Sequence, residues 1–330
     1  MLSLNTIDAH AAGEPLRLIV GGFPSPRGKT MLEKRDWLER HADHLRRALM
    51  LEPRGHADMY GALLTEPVAP GSHAGVLFMH NQGYSTMCGH GIIAVTTIVL
   101  ERGLLMPGGD GCSIVYDAPA GAIRARAAFD GSRVSTVAFQ NVPSFVLHGG
   151  LEVKLSNRRV LVDVAFGGAF YAIVDSESVG LPIDAAHLPD LRRIGMEIKM
   201  AAEAQQAIVH PLEPGLRGIY GTIFTGPPRD EHADLRNVTV FADAEVDRSP
   251  CGTGTAAVMA VIDAMGLLAE DRAFQHESLI GTRFAGRVRS RTLVGEHQAI
   301  VPEIEGSAWI TGEHTFLIDD GDPLKDGFRI

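Results

Sequence analysis

Cysteine is scarce in this chain: Cys88, Cys112 and Cys251 are the only three in 330 residues. So few thiols, and an odd number of them, exclude a disulfide framework and point to a reducing, cytoplasmic compartment in which the thiols stay free for chemistry. Positive charge is also in short supply. Thirty Lys and Arg against 40 Asp and Glu leave a formal charge of −10 at pH 7. That balance argues against a nucleic-acid backbone or an anionic membrane as the main partner, because both need a basic patch. No apolar run reaches the roughly 20 residues needed to cross a bilayer. The first ten residues carry Asp8 and no basic segment leading into an apolar stretch, so they do not read as a signal peptide. What is present is a globular composition, 45% hydrophobic and 21% charged with scattered Gly and Pro, long enough for two domains. The expected partner is a small molecule.

The first half reads as short β-branched strands broken by turn residues, with one long apolar helix from about Gly91 to Arg102 closed by Gly103. Asp130-Gly131, flanked by Ala122 to Ala128 and Val134 to Phe139, predicts a hairpin in a mainly antiparallel sheet. The second half repeats the style. Strands are expected near Arg159 to Val164, Ala169 to Val174 and Val238 to Phe241, with helices over about Leu188 to Gln206 and Thr255 to Met265. Asn141, Pro143 and the Gly149-Gly150 pair suggest a boundary between Gln140 and Gly150.

An internal repeat carries the most information. The segment from Cys88 to Leu105 lies over that from Cys251 to Leu268 without a gap. Cys88, Gly89, Gly91, Ala94, Val95, Gly103, Leu104 and Leu105 fall on Cys251, Gly252, Gly254, Ala257, Val258, Gly266, Leu267 and Leu268. Apolar helices match at Ala and Val by chance; they do not also share a leading Cys-Gly-x-Gly and a trailing Gly-Leu-Leu. The two halves therefore read as copies of one α/β unit. A pseudo-twofold relation between the copies would bring the two Cys-Gly-x-Gly turns face to face across a cleft suited to a small ligand.

Each cysteine is expected in a glycine-rich turn just before an apolar helix, where unused backbone N–H groups and the positive end of the helix dipole favour a substrate carboxylate and a thiolate. That setting is expected to lower each thiol pKa from about 8.5 toward neutrality. A thiolate base on one face of a carbon and a thiol acid on the other would invert a stereocentre. The N–H donors would hold the carboxylate as charge builds on it, a stabilisation of several kcal/mol in such sites. His90 and Asp247 lie close in sequence to the two thiols and are candidates for orienting a substrate nitrogen.

Four stretches resemble the proline racemase family, which includes hydroxyproline 2-epimerases and trans-3-hydroxyproline dehydratases. They are Asp8-Ala-His-Ala-Ala-Gly-Glu-Pro15, Gly83-Tyr-Ser-Thr-Met-Cys-Gly-His-Gly91, Asp163-Val-Ala-Phe-Gly-Gly168 and Asp247-Arg-Ser-Pro-Cys-Gly-Thr-Gly-Thr255. The resemblance implies a diaminopimelate epimerase-like α/β (α+β) fold. Two pseudo-symmetric domains, 1–140 and 141–311, would each curl a mostly antiparallel sheet around a central helix, with the strand at about 312–330 returning to the first. It implies no cofactor, and Cys88 and Cys251 as the acid/base pair; no metal is expected. Gly89, His90, Gly91, Asp247, Gly252 and Thr253 would be the substrate-binding residues. The substrate would be an imino acid, proline or hydroxyproline, and a homodimer is the candidate assembly.

Two departures bear on the reaction. Ala11 and Ala12 stand where the family commonly has threonine or another polar residue. The stretch around Cys88 is closer to the dehydratase branch, yet that branch typically carries threonine where this chain has Cys251. Keeping both thiols favours epimerisation, with 4-hydroxyproline the expected substrate. Dehydration of trans-3-hydroxyproline, alone or alongside epimerisation, proline racemisation, and a non-catalytic imino-acid binder are the alternatives.

Simpler roles stand beside these. Cys112, in a Gly-Cys-Ser context, reads as a small packing residue. Cys88-x-His90 supplies too few ligands for structural zinc. Glu14 serves equally well to fix a turn. Asp163 with Gly167-Gly168 either lines a pocket or permits a tight strand crossing, and Asp247 could cap the turn before the second helix.

Overall fold

The computed structural model describes residues 1–107, 111–269 and 271–329. Its contacts divide into two compact units, Met1–Phe139 with Ser307–Ile330, and Gln140–Gly306. Among the described residues no helix is long and apolar enough to cross a membrane.

The first unit starts from a hairpin. Strands Leu2–Ala11 and Glu14–Gly21 pair antiparallel across Ala12-Gly13, whose φ values of 51° and 95° suit the right-handed twist of a two-residue turn. The N-terminal motif is thus largely structural: Asp8 grips Arg17 across the hairpin at 2.8 Å. Ala308–Ile318 pairs antiparallel on the outer side of Leu2–Ala11. Glu14–Gly21 runs parallel to Tyr60–Thr65, which pairs antiparallel with Ala74–His80. Ala74–His80 then runs parallel to Ser113–Ala118, itself antiparallel to Gly121–Asp130. Helices α1 (Met31–His41) and α2 (Asp43–Met50) fill the first parallel crossover, and α3 (Gly89–Glu101) fills the second.

The second unit repeats this succession. Arg159–Phe166 pairs antiparallel with Ser144–Lys154 and with Phe170–Asp175, which runs parallel to Ile219–Gly226. Leu235–Phe241 follows antiparallel, then Phe274–Glu277 parallel, then Arg283–Val294 antiparallel. The crossovers are filled by α4 (Leu188–Gln205) and α5 (Gly252–Ala264). His297–Gly306 pairs both with Arg283–Val294 and with Ser144–Lys154, so the sheet of this unit closes on itself. A closed sheet leaves no unpaired edge. The repeat between Cys88 and Leu105 is therefore the visible part of a repeat of whole topology.

Helices α3 and α5 are apolar on every side because they are surrounded. All of α3 except its last two residues and all of α5 except its last three are buried. Both stop in the same way: Gly103 (φ 62°) and Gly266 (φ 70°) take the left-handed conformation. Leu104 and Leu267 then donate their N–H groups back to Val99 and Ile262, a Schellman closure.

The starts differ from expectation. Both helices begin earlier than the glycine-rich segments suggest, so Gly89-His90-Gly91 and Gly252-Thr253-Gly254 are first turns of helix, with Cys88 and Cys251 as N-caps. The boundary expected between Gln140 and Gly150 falls at its first residue, where the second unit begins at Gln140, and positions 141–143 separate the strands Arg133–Gln140 and Ser144–Lys154; only the glycine pair is no interruption. Gly149 and Gly150 lie inside the strand Ser144–Lys154, where Gly150 (φ 62°) donates its N–H to Asp163 at a register shift. Asp163 therefore fixes a bulge.

Candidate active site

Each unit builds one thiol site at the start of its central helix. In the first, Cys88 has extended φ/ψ (−143°, 114°), and its sulfur accepts the N–H of Gly91 at 3.3 Å. Cysteine thus does the work that Ser or Asp does at ordinary helix starts. His90, one turn-position on, folds its Nδ1 to 3.2 Å from the same sulfur. A ring nitrogen at that distance can take the thiol proton and leave a thiolate. His90 is buried and meets the edge of the Tyr60 ring at 4.8 Å, while the Tyr60 hydroxyl pairs with Ser85 at 2.6 Å. A Cβ on Gly91 would lie 2.9 Å from Cys88 Sγ and 2.4 Å from Phe78, so the approach of the helix to the thiol needs glycine.

The second unit builds the counterpart with different partners. Cys251 Sγ accepts the N–H of Gly254 at 3.3 Å. Thr253, at the repeat position of His90, brings Oγ1 to 3.8 Å from the sulfur. Tyr171 reaches in from the neighbouring strand, its hydroxyl 2.7 Å from Thr253 Oγ1 and 3.7 Å from Cys251 Sγ. The backbone of Cys251 is the outlier, at φ 61° where Cys88 is relaxed. A non-glycine residue in a sparsely populated conformation costs on the order of 1–3 kcal/mol and persists only when its surroundings hold it. Asp247 accepts the N–H and hydroxyl of Ser249 through Oδ1 at 2.8 and 2.7 Å, and Ser249 Oγ in turn accepts the N–H of Cys251. Asp247 is thus the anchor of the turn that leads into α5.

Electrostatics in this half run against the expected direction. Burial, followed by the nearby carboxylate of Asp247, pushes the Cys251 thiol up to about 12 rather than down toward neutrality. The helix N-terminus does pull the other way, through the Gly254 N–H, but loses to desolvation. Burial also raises Asp247 to about 6 and holds the Tyr171 hydroxyl well above its usual value. Cys251 in this state is a neutral thiol, a proton donor. Asp247→Asn keeps the acceptor for Ser249 and removes the charge, so the Cys251 thiol should titrate lower and react faster with iodoacetamide at pH 8. Peptide mapping that shows an unchanged rate at Cys251 would contradict this account.

The residues expected from sequence are thus found in two groups: Cys88, Gly89, His90 and Gly91 on α3, and Cys251, Gly252, Thr253 and Asp247 at α5. Tyr60, Tyr171 and Ser249 were not anticipated. Ser249 lies in the Asp-x-Ser spacing of an Asx turn and was legible; the two tyrosines come from strands remote in sequence. His10 stacks on Trp309, and Cys112 is half-buried. Among the described residues no three His, Cys, Asp or Glu side chains gather to hold a metal ion.

A repeated unit in which a curled, mainly antiparallel sheet wraps an apolar helix defines the diaminopimelate epimerase-like class of α/β fold. The proline racemase family profile matches residues 6–329. The chain belongs to that family of enzymes. It is 49% identical to a trans-3-hydroxy-L-proline dehydratase of Bacillus cereus, over 98% of this chain and 97% of that one. It is 45% identical to a 3-hydroxyproline 2-epimerase of Burkholderia multivorans, over 99% of this chain and 98% of that relative. Among solved structures it superposes with a TM-score of 0.93 and 29% identity on a hydroxyproline epimerase of Agrobacterium vitis with trans-4-hydroxy-L-proline bound, covering 100% of this chain and 95% of that one.

Proposed function

We propose that this chain acts on trans-3-hydroxy-L-proline, with Cys88 and Cys251 as the proton-transfer groups at its α-carbon and dehydration as the main outcome. The observation that carries the substrate is the 49% identity to a trans-3-hydroxy-L-proline dehydratase across nearly the full length of both chains. That identity supports 3-hydroxyproline over the 4-hydroxyproline expected from sequence, whose support is a structure at 29% identity.

The chemistry of the two thiols supports the assignment of roles. Cys88, with its imidazole neighbour, is the base. It removes the α-proton, and the electron pair left on Cα expels the β-hydroxyl. The neutral Cys251 thiol gives its proton to that departing oxygen, which leaves as water. The enamine so formed tautomerises to the cyclic imine. Gly89, Gly252 and Thr253 would offer first-turn N–H groups to the substrate carboxylate, while Gly91, whose N–H is taken by Cys88 Sγ, lets the helix approach closely. Asp247 would pair with a cationic ring nitrogen.

Epimerisation is the second reading, favoured by the thiol at position 251 itself. The same neutral thiol can return its proton to Cα from the opposite face before the hydroxyl leaves. Both outcomes share the first step, so they compete within one enzyme. Incubating L- and D-proline and the 3- and 4-hydroxyprolines separately in heavy water, with proton NMR, tests the reading. Cyclic imine from trans-3-hydroxy-L-proline is expected as the main product, with deuterium at Cα of any recovered substrate. Turnover of 4-hydroxyproline with none of the 3-isomer would overturn the substrate assignment.

A further inference from the structure

We infer that Asn237, Thr255 and His276 form a buried clamp whose task is to hold the peptide before Cys251, and with it the thiol, in its strained orientation. The inference deepens the reading of Cys251 as a proton-transfer group and rests on it for its kinetic consequences.

The clamp closes on the carbonyl of Pro250. Asn237 Nδ2 donates to that oxygen at 2.9 Å and Thr255 Oγ1 donates to it at 3.2 Å. His276 ties the two donors together, with Nδ1 2.9 Å from Thr255 Oγ1 and Nε2 2.8 Å from Asn237 Nδ2. Asn237 Nδ2 also lies 2.9 Å from Nδ1, so the amide packs against both ring nitrogens, and the following set of protons serves the hydroxyl and the amide together. The Thr255 proton is spent on Pro250, so Thr255 must accept from His276 Nδ1–H. His276 Nε2 is then left to accept the second proton of the Asn237 amide. The ring must be neutral, and burial, which drives His276 down to about 3, keeps it so. The charged group bearing most on it is Asp234. Asn237, Thr255 and His276 are each fully buried.

The other end of the same peptide is held from the opposite side, where the Cys251 N–H meets Ser249. A peptide plane gripped at both its oxygen and its N–H cannot rotate, and rotation about the adjoining N–Cα bond is what would relieve the φ of 61° at Cys251. The contrast with Cys88 is informative, because its backbone is relaxed. None of the three clamp residues touches the sulfur, so they are positioning residues.

Thr255→Val removes the donor to Pro250 at nearly constant shape, Asn237→Ala removes the other, and Thr255→Ser keeps the hydroxyl. Two readouts serve. Iodoacetamide labelling at neutral pH, mapped separately at Cys88 and Cys251 in one sample, needs no catalysis, and steady-state kinetics on trans-3-hydroxy-L-proline reports alignment. In Thr255→Val and Asn237→Ala, labelling at Cys251 should rise roughly 3- to 10-fold with Cys88 unchanged, because only the local restraint is released. The kcat should fall roughly 10- to 100-fold with KM within about twofold, the usual effect of a misplaced reacting group. Thr255→Ser should restore both. Native labelling and kcat in both disabling variants would overturn the clamp, as would equal acceleration at both thiols. Full turnover by Cys251→Ser would instead remove the catalytic reading and leave the labelling result to decide the clamp.

Discussion

Cys88→Ser should lower the exchange of the substrate α-proton by about 10²- to 10⁴-fold, the range lost when a positioned general base is removed. Serine isolates the chemistry from the fold. It is among the preferred N-cap residues, so it can still accept the Gly91 N–H that Cys88 Sγ now accepts, and α3 keeps its start. The hydroxyl is far too weak an acid to be ionised by His90, and the base is lost. Cys251→Thr should act differently. A threonine hydroxyl can assist a departing hydroxyl group, so imine formation from trans-3-hydroxy-L-proline should survive within about tenfold, whereas return of a proton to the opposite face of Cα should collapse. The two variants together separate the steps. Proton NMR in heavy water reads both, through loss of the α-proton signal and growth of the imine signals. Exchange at the native rate in Cys88→Ser would rule out that thiol as the base, and inversion at the native rate in Cys251→Thr would rule out the second thiol as the donor to carbon.

The repeat was the part of this fold most open to sequence reasoning, because it is written in residues that punctuate helices. Gly103-Leu104 and Gly266-Leu267 end α3 and α5 through a left-handed glycine and a back-donated N–H, and any sequence that repeats this stop repeats the helix before it. The starts misled for an equally local reason. Cysteine is not a usual capping residue, and glycine is a poor helix former, so Cys-Gly-x-Gly reads as a turn. Burial of the whole helix outweighs the cost of those glycines, which are there to let the chain pass close to the sulfur. Helices α1 and α2 escaped notice because their buried faces include Lys34 and Arg46. Arg46 is accommodated by Asp43 one turn back and by the carbonyls of His80 and Asn81, which only the folded chain supplies.

The chemistry was less legible than the scaffold. Both thiols could be located, yet helix termini alone predicted depressed pKa values for the pair, and depth of burial reverses that at Cys251. No residue near Cys251 in sequence announces how deeply it will be packed. Tyr171 and the clamp residues Asn237 and His276 sit on strands buried along nearly their whole length, a pattern that does not say what each side chain meets. The unequal partners at the repeat position, His90 in one copy and Thr253 in the other, were visible in the alignment of the halves. The distances of 3.2 and 3.8 Å, which set an imidazole beside one sulfur and a hydroxyl beside the other, were not.

Gly167→Ala should destabilise the protein by about 3 kcal/mol or more, at the upper end of the cost of overpacking. The reason is contact rather than backbone conformation. A Cβ at Gly167 would lie 2.2 Å from the carbonyl oxygen of Thr253 and 2.7 Å from the amide nitrogen of Ala257, both backbone atoms of α5 that have no rotamer to yield. Gly167 itself is tied on both sides, donating its N–H to Ala169 and accepting from the Asn141 side chain, so the strand end cannot retreat cheaply. The remaining way out is to push the first turn of α5 aside, and that turn carries Cys251, Thr253 and Gly254. Stability and catalysis should therefore fall together, the first measured by urea unfolding and the second by α-proton exchange. Gly149→Ala is the control from the same unit, because its Cβ would meet nothing closer than 3.8 Å. It should stay within about 1 kcal/mol of the native protein, the cost of an ordinary substitution. If Gly167→Ala unfolds at the native urea midpoint, the strand does not press on the helix as closely as these distances require, and the reading of Gly167-Gly168 as a tight crossing fails with it.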